Sequence, residues 1–277
     1  MSIDAKTLRD FYNSPLGDVA RRLIGRIVRA RWTSVRGMTV AGLGYGAPYL
    51  ERYRDAADRC IALMPAGQGA STWPDRERCA TALVRGEMLP LPDNSVDRLL
   101  IVHALEAAER PGELLEEVWR VVAPEGRVLV IVPSRRGVWA RVDATPFGHG
   151  LPYSRGQLRD LLQGAVFVPV FWGEALFAPP VGRQAVIRFA PTIERVGAAF
   201  SLPFAGVYLV EAIKQVQRPV GVYALPKPRR AVVVPALAQT ARREAEGPAP
   251  SAGSGFVDCA IGAGRADGLT LPDPRTR

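Results

Sequence analysis

The sequence is poor in the residues that build metal centres and disulfide frameworks, with three cysteines and two histidines in 277 residues. Cys60, Cys79 and Cys259 lie far apart and form no CxxC pair, and only His103 and His149 could add imidazole ligands. That composition argues against a zinc site or a disulfide scaffold and predicts no bound metal. Long apolar runs are missing as well. No uncharged stretch exceeds fifteen residues, and Val196–Val210, which reaches that length, is broken by Ser201 and Pro203, against roughly 20 apolar residues for a spanning helix. The N-terminus carries Asp4, Lys6, Arg9 and Asp10 where a secretory signal needs an apolar core. These absences predict a soluble, cytoplasmic protein without a transmembrane segment.

Acidic residues are short at the two ends of the chain. Residues 1–36 hold eight Lys/Arg against three acids and residues 225–277 eight against five, so most of the net charge of +9 sits outside the middle. A charge carried by the termini does not describe a nucleic-acid groove, and nucleic acid is not the expected partner.

The clearest helix is Leu16–Trp32, where Leu16, Val19, Ala20, Leu23, Ile24, Ile27 and Val28 recur at helical spacing opposite Arg21, Arg22, Arg26 and Arg29. Residues 1–36 therefore read as an N-terminal amphipathic helical cap. From Met38 short apolar runs alternate with helical stretches, the signature of βαβ units and a mainly parallel sheet. Strands are expected near Met38–Ala41, Arg59–Leu63, Thr81–Val84, Arg98–His103, Arg127–Val132, Val166–Trp172 and Val207–Glu211, and helices near Pro48–Ala57, Pro111–Val122, Ser154–Gln163 and Ile187–Ala199. Residues 37–224 form the expected Rossmann-like domain. Residues 225–277, rich in Pro, Gly, Ala and Arg, read as a disordered basic tail.

The first strand runs into Gly42-Leu43-Gly44-Tyr45-Gly46-Ala47. Glycines after a first strand permit a tight turn and let a cofactor approach a helix N-terminus closely. The string also satisfies the dinucleotide pattern G-x-G-x-x-A, so a nicotinamide-dependent enzyme enters as a reading. Such enzymes carry an acid about 20 residues on for the ribose hydroxyls, and Ala62-Leu63-Met64-Pro65 supplies none.

Three further segments carry a resemblance. The stretch from Gly86-Glu87-Met88 through Leu89-Pro90-Leu91-Pro92-Asp93-Asn94-Ser95-Val96-Asp97 leads to a fourth strand ending in His103-Ala104-Leu105-Glu106. Then come Leu114-Leu115-Glu116-Glu117-Val118-Trp119-Arg120-Val121-Val122-Ala123-Pro124-Glu125-Gly126-Arg127 and, later, Tyr153-Ser154-Arg155-Gly156-Gln157-Leu158. This run resembles the class I S-adenosylmethionine (SAM)-dependent methyltransferases of the small-molecule type over about residues 10–215.

The resemblance implies a Rossmann-like α/β fold, a mainly parallel seven-stranded sheet with helices on both faces, and SAM as cofactor. It places Gly42, Leu43, Gly44, Tyr45 and Gly46 at the methionine end, and Met64, Glu87 and Met88 around ribose and adenine. His103 then sits at the fourth-strand tip. Two positions depart from the family: Val40 and Met64 stand where acids are usual. Each missing charge-assisted hydrogen bond removes about 1.5–3 kcal/mol. A pseudo-methyltransferase acting as a binding or regulatory protein for a partner protein is therefore kept beside the enzyme.

After the fifth strand, Arg135, Arg136 and Arg141 have the chemistry to hold a carboxylate or phosphate, while Trp139 and Phe147 offer aromatic faces to a small acceptor. With His149 and Tyr153 they complete the expected substrate set. His103 and His149 are the candidate catalytic bases, because imidazole exchanges protons near neutral pH.

Overall fold

The computed structural model describes residues 3–77, 79–200 and 204–215. The tail expected at 225–277 lies outside the described residues.

All seven expected strands form, as β1 Thr39–Gly44, β2 Arg59–Pro65, β3 Thr81–Val84, β4 Val96–Val102, β5 Val122–Pro133, β6 Phe167–Ala175 and β7 Val207–Lys214. They make one sheet in the order β3-β2-β1-β4-β5-β7-β6. The first five strands are parallel, and β7 runs antiparallel between β5 and β6. The order reverses between β1 and β4, and folds of this kind hold ligands outside the carboxyl ends of strands at such a switch point.

Helices cover both faces. On one side lie α1 Ala5–Tyr12, α2 Pro15–Arg31, α3 Ala47–Leu50 and α6 Gln184–Ala199. On the other lie α4 Pro111–Val121 and α5 Arg155–Gly164. In α4 the apolar stripe Leu114, Leu115, Val118 and Val121 is buried. The start of α5 is fixed by a capping box, in which Ser154 accepts the Gln157 N–H and the Gln157 side chain returns to the Ser154 N–H. The expected helix Pro48–Ala57 shortens to Ala47–Leu50 followed by turns. It contributes Tyr49 and Leu50 to the core and leaves the rest of the segment as connection.

Glu211 and Lys214, an acid and a base three residues apart on β7, are both buried. Glu211 accepts from Arg31 Nε at 2.8 Å, from Trp32 Nε1 at 3.2 Å and from Arg127 Nη1 at 3.4 Å. Lys214 donates to Asn94 Oδ1 at 2.6 Å and the Val122 carbonyl at 2.7 Å, under the Trp119 ring. The two do not pair with each other. Strand alternation over three residues puts their side chains on opposite faces of β7, and each finds partners from the elements packed on its own side.

Candidate functional site

The switch point is closed by backbone. Tyr45 N–H donates to the Val102 carbonyl at 2.8 Å, tying the turn after β1 to the end of β4. Gly44 has φ +87°, and a Cβ there would stand 2.1 Å from that same carbonyl oxygen. Only glycine permits this approach. Strand packing by itself therefore demands the glycine, whatever the turn binds.

His103 follows β4 with φ +55°, a left-handed conformation uncommon for a side-chain-bearing residue. Its carbonyl oxygen accepts a hydrogen bond from the Gln68 amide. Its ring lies between two partners: Tyr12 Oη is 2.9 Å from Nε2, and Glu106 Oε1 is 3.1 Å from Nδ1. With Glu106 ionised and the ring neutral, Nδ1 carries the proton and Nε2 receives the Tyr12 O–H. Tyr49 O–H then donates to Tyr12 Oη at 3.2 Å. The donors run in one direction, from Tyr49 through Tyr12 and His103 to Glu106.

This chain is dry. Tyr12, His103 and Glu106 are respectively 5 %, 2 % and 4 % exposed. Burial, followed by the neighbouring Tyr49, raises the Tyr12 hydroxyl well above its ordinary pKa, and burial raises Tyr49 too. The Tyr12 ring stacks on Tyr45 at 5.6 Å between centroids, and Phe147 meets His103 at 4.9 Å. The other carboxylate oxygen of Glu106, Oε2, has no hydrogen-bond partner among the described residues. Beside it is a cavity of about 10 Å³, lined by His103, Glu106 and His149, close to the volume one water needs.

The α1–α2 corner delivers Tyr12. Ser14 caps α2 by accepting the Gly17 N–H at 3.1 Å, and its hydroxyl donates to the Phe11 carbonyl at 2.6 Å. A Cβ at Gly17 would stand 1.9 Å from that carbonyl oxygen. The corner is tight because residue 17 is glycine, and so the end of α1 is pressed against the sheet edge.

Two clefts adjoin this cluster. One, about 250 Å³, is lined by the ends of β2 and β3 and the turn after β4, with Pro65, Gln68, Val84, Arg85, Glu87 and Ala104 among its walls. The other, about 480 Å³, is lined by Arg9, Tyr12, Asn13, Asp18, Tyr45, Glu51 and Trp73. Gln68 belongs to the first and Tyr12 to the second, so the hydrogen-bonded cluster at His103 connects their linings.

The structure distributes the residues singled out from sequence unevenly. Gly42, Leu43 and Gly44 lie buried on β1 beside β4, and Gly46 precedes α3. Glu87 lines the smaller cleft, while Met88, just beyond it in sequence, is 64 % exposed. Met64 is buried, its sulfur receiving the Ser71 N–H at 3.3 Å. Val40 is buried in the core beneath α2. Trp139 and Phe147 present no free face to an acceptor: both are buried, their rings meet edge to face, and the indole N–H donates to Ala178 O at 2.7 Å. They were apolar enough to be drawn inside. His149 reaches the Asp143 carbonyl at 2.8 Å and borders the small cavity at His103. Tyr153 O–H donates to Leu105 O at 3.2 Å, and burial pushes its hydroxyl up to about 12. Arg141 is exposed, and Arg135 faces a different cavity. Sequence reading missed Tyr12, Tyr49 and Gln68. Ser14-Pro15 was the available signal, since an N-cap followed by proline ends any preceding helix at Tyr12.

Residues 40–130 match the methyltransferase-domain family. With its seven-stranded sheet and helices on both faces, the chain has the Rossmann-like class I methyltransferase fold. The chain is similar to a malonyl-acyl-carrier-protein O-methyltransferase from Halorhodospira halophila, 30% identical over 186 residues, 62% of this chain and 61% of that protein. It thus spans less than two thirds of that relative's length. In fold it is similar to the complex of the Haloferax volcanii Trm112 methyltransferase activator with a candidate methyltransferase, at TM-score 0.56, 18% identity and coverage of 77% of this chain and 100% of that one. It is also similar to a 4+2 cyclase, SpnF, at TM-score 0.50, 21% identity and coverage of 72% and 82%. Among the described residues no helix is long and apolar enough to cross a membrane, and no three His, Cys, Asp or Glu side chains gather for a metal.

A SAM-type cofactor fits this edge in part. The smaller cleft offers a nucleoside apolar walls together with the Gln68 amide and the Glu87 carboxylate. At the amino-acid end the fit fails in this conformation, because Tyr12 and Tyr45 stack beside the glycine turn and Tyr12 bonds His103.

Proposed function

We propose that this protein is a SAM-dependent methyltransferase for a small acceptor, with His103 as its proton-handling group. In this reading Tyr12 acts as a displaceable stopper. SAM supplies an electrophilic methyl group when bound. Gln68 and Glu87 hold the nucleoside, and the Gly42–Gly46 turn receives the amino-acid end once Tyr12 has moved aside. Glu106 keeps the proton on Nδ1 of His103, so Nε2 remains a lone-pair acceptor. In the closed form that lone pair is taken by Tyr12 O–H. With Tyr12 withdrawn, Nε2 is free to take a proton from an acceptor O–H or N–H. His149, at the rim of the same small cavity, is the second candidate.

The observation that carries this reading is the directed chain Tyr12–His103–Glu106 at the sheet's switch point. A residue held in left-handed backbone and hydrogen-bonded at both ring nitrogens is a feature of sites that act on ligands. The acyl-carrier-protein relative adds support for an acceptor that carries an anionic group.

A second reading has its own observation. The apolar Val40 and Met64, together with the stacked Tyr12 and Tyr45, favour a sealed methyltransferase fold that serves a partner protein. The cyclase likeness illustrates that the fold is not confined to methyl transfer.

Calorimetric titration with S-adenosylhomocysteine separates the two. The enzyme reading expects saturable binding to the wild type, at least about tenfold tighter in Tyr12→Ala, because an occupied site lowers apparent affinity by the competent fraction. Absence of binding in both proteins rejects methyl transfer and leaves the partner-binding reading.

A further inference from the structure

A further cavity lies away from the switch point. It measures about 840 Å³ and opens beside the ends of β5, β6 and α5, with Arg135, Arg136, Arg155, Trp172, Glu174 and Tyr208 in its wall. None of these residues lines either cleft at the His103 cluster.

Arginine side chains on a surface are ordinarily mobile, but here the backbone that presents them is pinned. Ser134 N–H donates to Gly206 O at 2.9 Å, Arg135 N–H to Tyr153 O at 2.9 Å, and Gly137 N–H to Ser134 O at 2.9 Å. Arg135 and Arg136 are therefore the two central residues of a closed four-residue turn. Arg155 is the first residue of α5, behind the Ser154 cap, and its guanidinium lies over the Trp172 ring at 4.8 Å.

The charges do not cancel. Three guanidinium groups and one carboxylate, Glu174, share the wall. Among the described residues, none of the three arginines is within salt-bridge distance of an acid. Two uncompensated positive charges in one concavity attract an anion of matching charge, and guanidinium groups bind carboxylate and phosphate through paired N–H donors. Trp172 and Tyr208 supply the apolar complement, and Trp172 already serves as a stacking surface.

We propose that this cavity is a second binding site, separate from the cofactor edge, for an organic dianion with a flat or apolar body: a phosphate monoester or dicarboxylate held by Arg135, Arg136 and Arg155 and stacked on Trp172. The proposal does not depend on methyl transfer.

Phenyl phosphate, inorganic phosphate and phenol are suitable probes, each titrated calorimetrically into the full-length protein without cofactor. The proposal expects saturable one-to-one binding of phenyl phosphate, at least about tenfold tighter than inorganic phosphate, with no binding of phenol. The double variant Arg135→Gln/Arg136→Gln should weaken phenyl phosphate at least about tenfold, and Trp172→Leu should remove the preference over inorganic phosphate. Arg36→Gln/Arg59→Gln, an equal two-charge change on exposed arginines outside the cavity, should leave binding unchanged. Thermal melts verify that each variant is folded. Unsaturable binding, an equal loss in Arg36→Gln/Arg59→Gln, or full affinity in Arg135→Gln/Arg136→Gln overturns the proposal and reduces the cavity to general attraction by a basic protein.

Discussion

Glu106 and Glu211 are two acids buried in the same domain, and they are served very differently. Glu211 lies at the middle of β7, where its carboxylate receives two arginines and an indole N–H from α2, β5 and the residue after α2. Glu106 follows β4 at the carboxyl edge, where one oxygen meets the His103 ring and the other meets no donor among the described residues. Full compensation is what a buried charge needs when its task is to hold elements together. A buried acceptor left open marks a place where the arrangement is set by something other than stability. Glu211 fastens the N-terminal helices to the sheet. Glu106 orients a histidine and keeps capacity in reserve.

The largest effect should come from breaking the compensated acid. Glu211→Ala leaves Arg31, Arg127 and Trp32 Nε1 without their acceptor and should cost about 3–5 kcal/mol of unfolding free energy. Glu106→Gln keeps an acceptor for His103 Nδ1 and removes a charge that has one partner, so its cost should stay under about 1.5 kcal/mol. Urea unfolding of the two variants is the measurement. Equal losses would mean that Glu106 is as structural as Glu211 and would end the distinction.

That distinction was only half legible in the sequence. Period-two and period-3.6 apolar patterns placed all seven strands and most helices, because burial of repeating faces is a local property of the chain. The glycine turn marked the end of the first strand, and the run from Gly86 to Arg127 located the carboxyl edge through its resemblance to the methyltransferases. Tyr12 could not be found this way. It lies 91 residues from His103 in sequence, and the contact exists only because the Ser14–Gly17 corner folds α1 back. The burial of Glu211 was not legible either, because a lone acid in a strand has the pattern of an exposed position and its partners Arg31 and Trp32 lie 180 and 179 residues away. Trp139 and Phe147 failed in the opposite sense: an aromatic in an edge loop reads as a ligand contact, and the structure buries both.

A middle-sized effect sharpens the comparison on the anchor side. Trp32→Phe deletes the N–H donated to Glu211 Oε1 and keeps most of the ring that packs against Tyr53. An unsatisfied buried carboxylate oxygen should cost about 1–3 kcal/mol, read as a lower urea midpoint with an unchanged slope. A cost below 0.5 kcal/mol, as an order-of-magnitude threshold, would show that the two arginines alone satisfy Glu211.

The smallest expected stability change is the most informative about the other acid. Tyr12→Phe removes one hydroxyl and leaves the ring stacked on Tyr45. It unmakes the bond to His103 Nε2 and the one received from Tyr49, so unfolding should ease by about 1 kcal/mol or less if a water takes the vacated place. Loosening the stopper by the same amount should strengthen S-adenosylhomocysteine binding by up to about fivefold, since a 1.4 kcal/mol change in the closed state is a tenfold change in the open fraction. Stability and affinity then move in opposite directions at one residue, which a purely structural tyrosine would not do. If Tyr12→Phe binds the probe more weakly than wild type, the hydroxyl is a ligand contact, and Tyr12 belongs to the open site instead of guarding it.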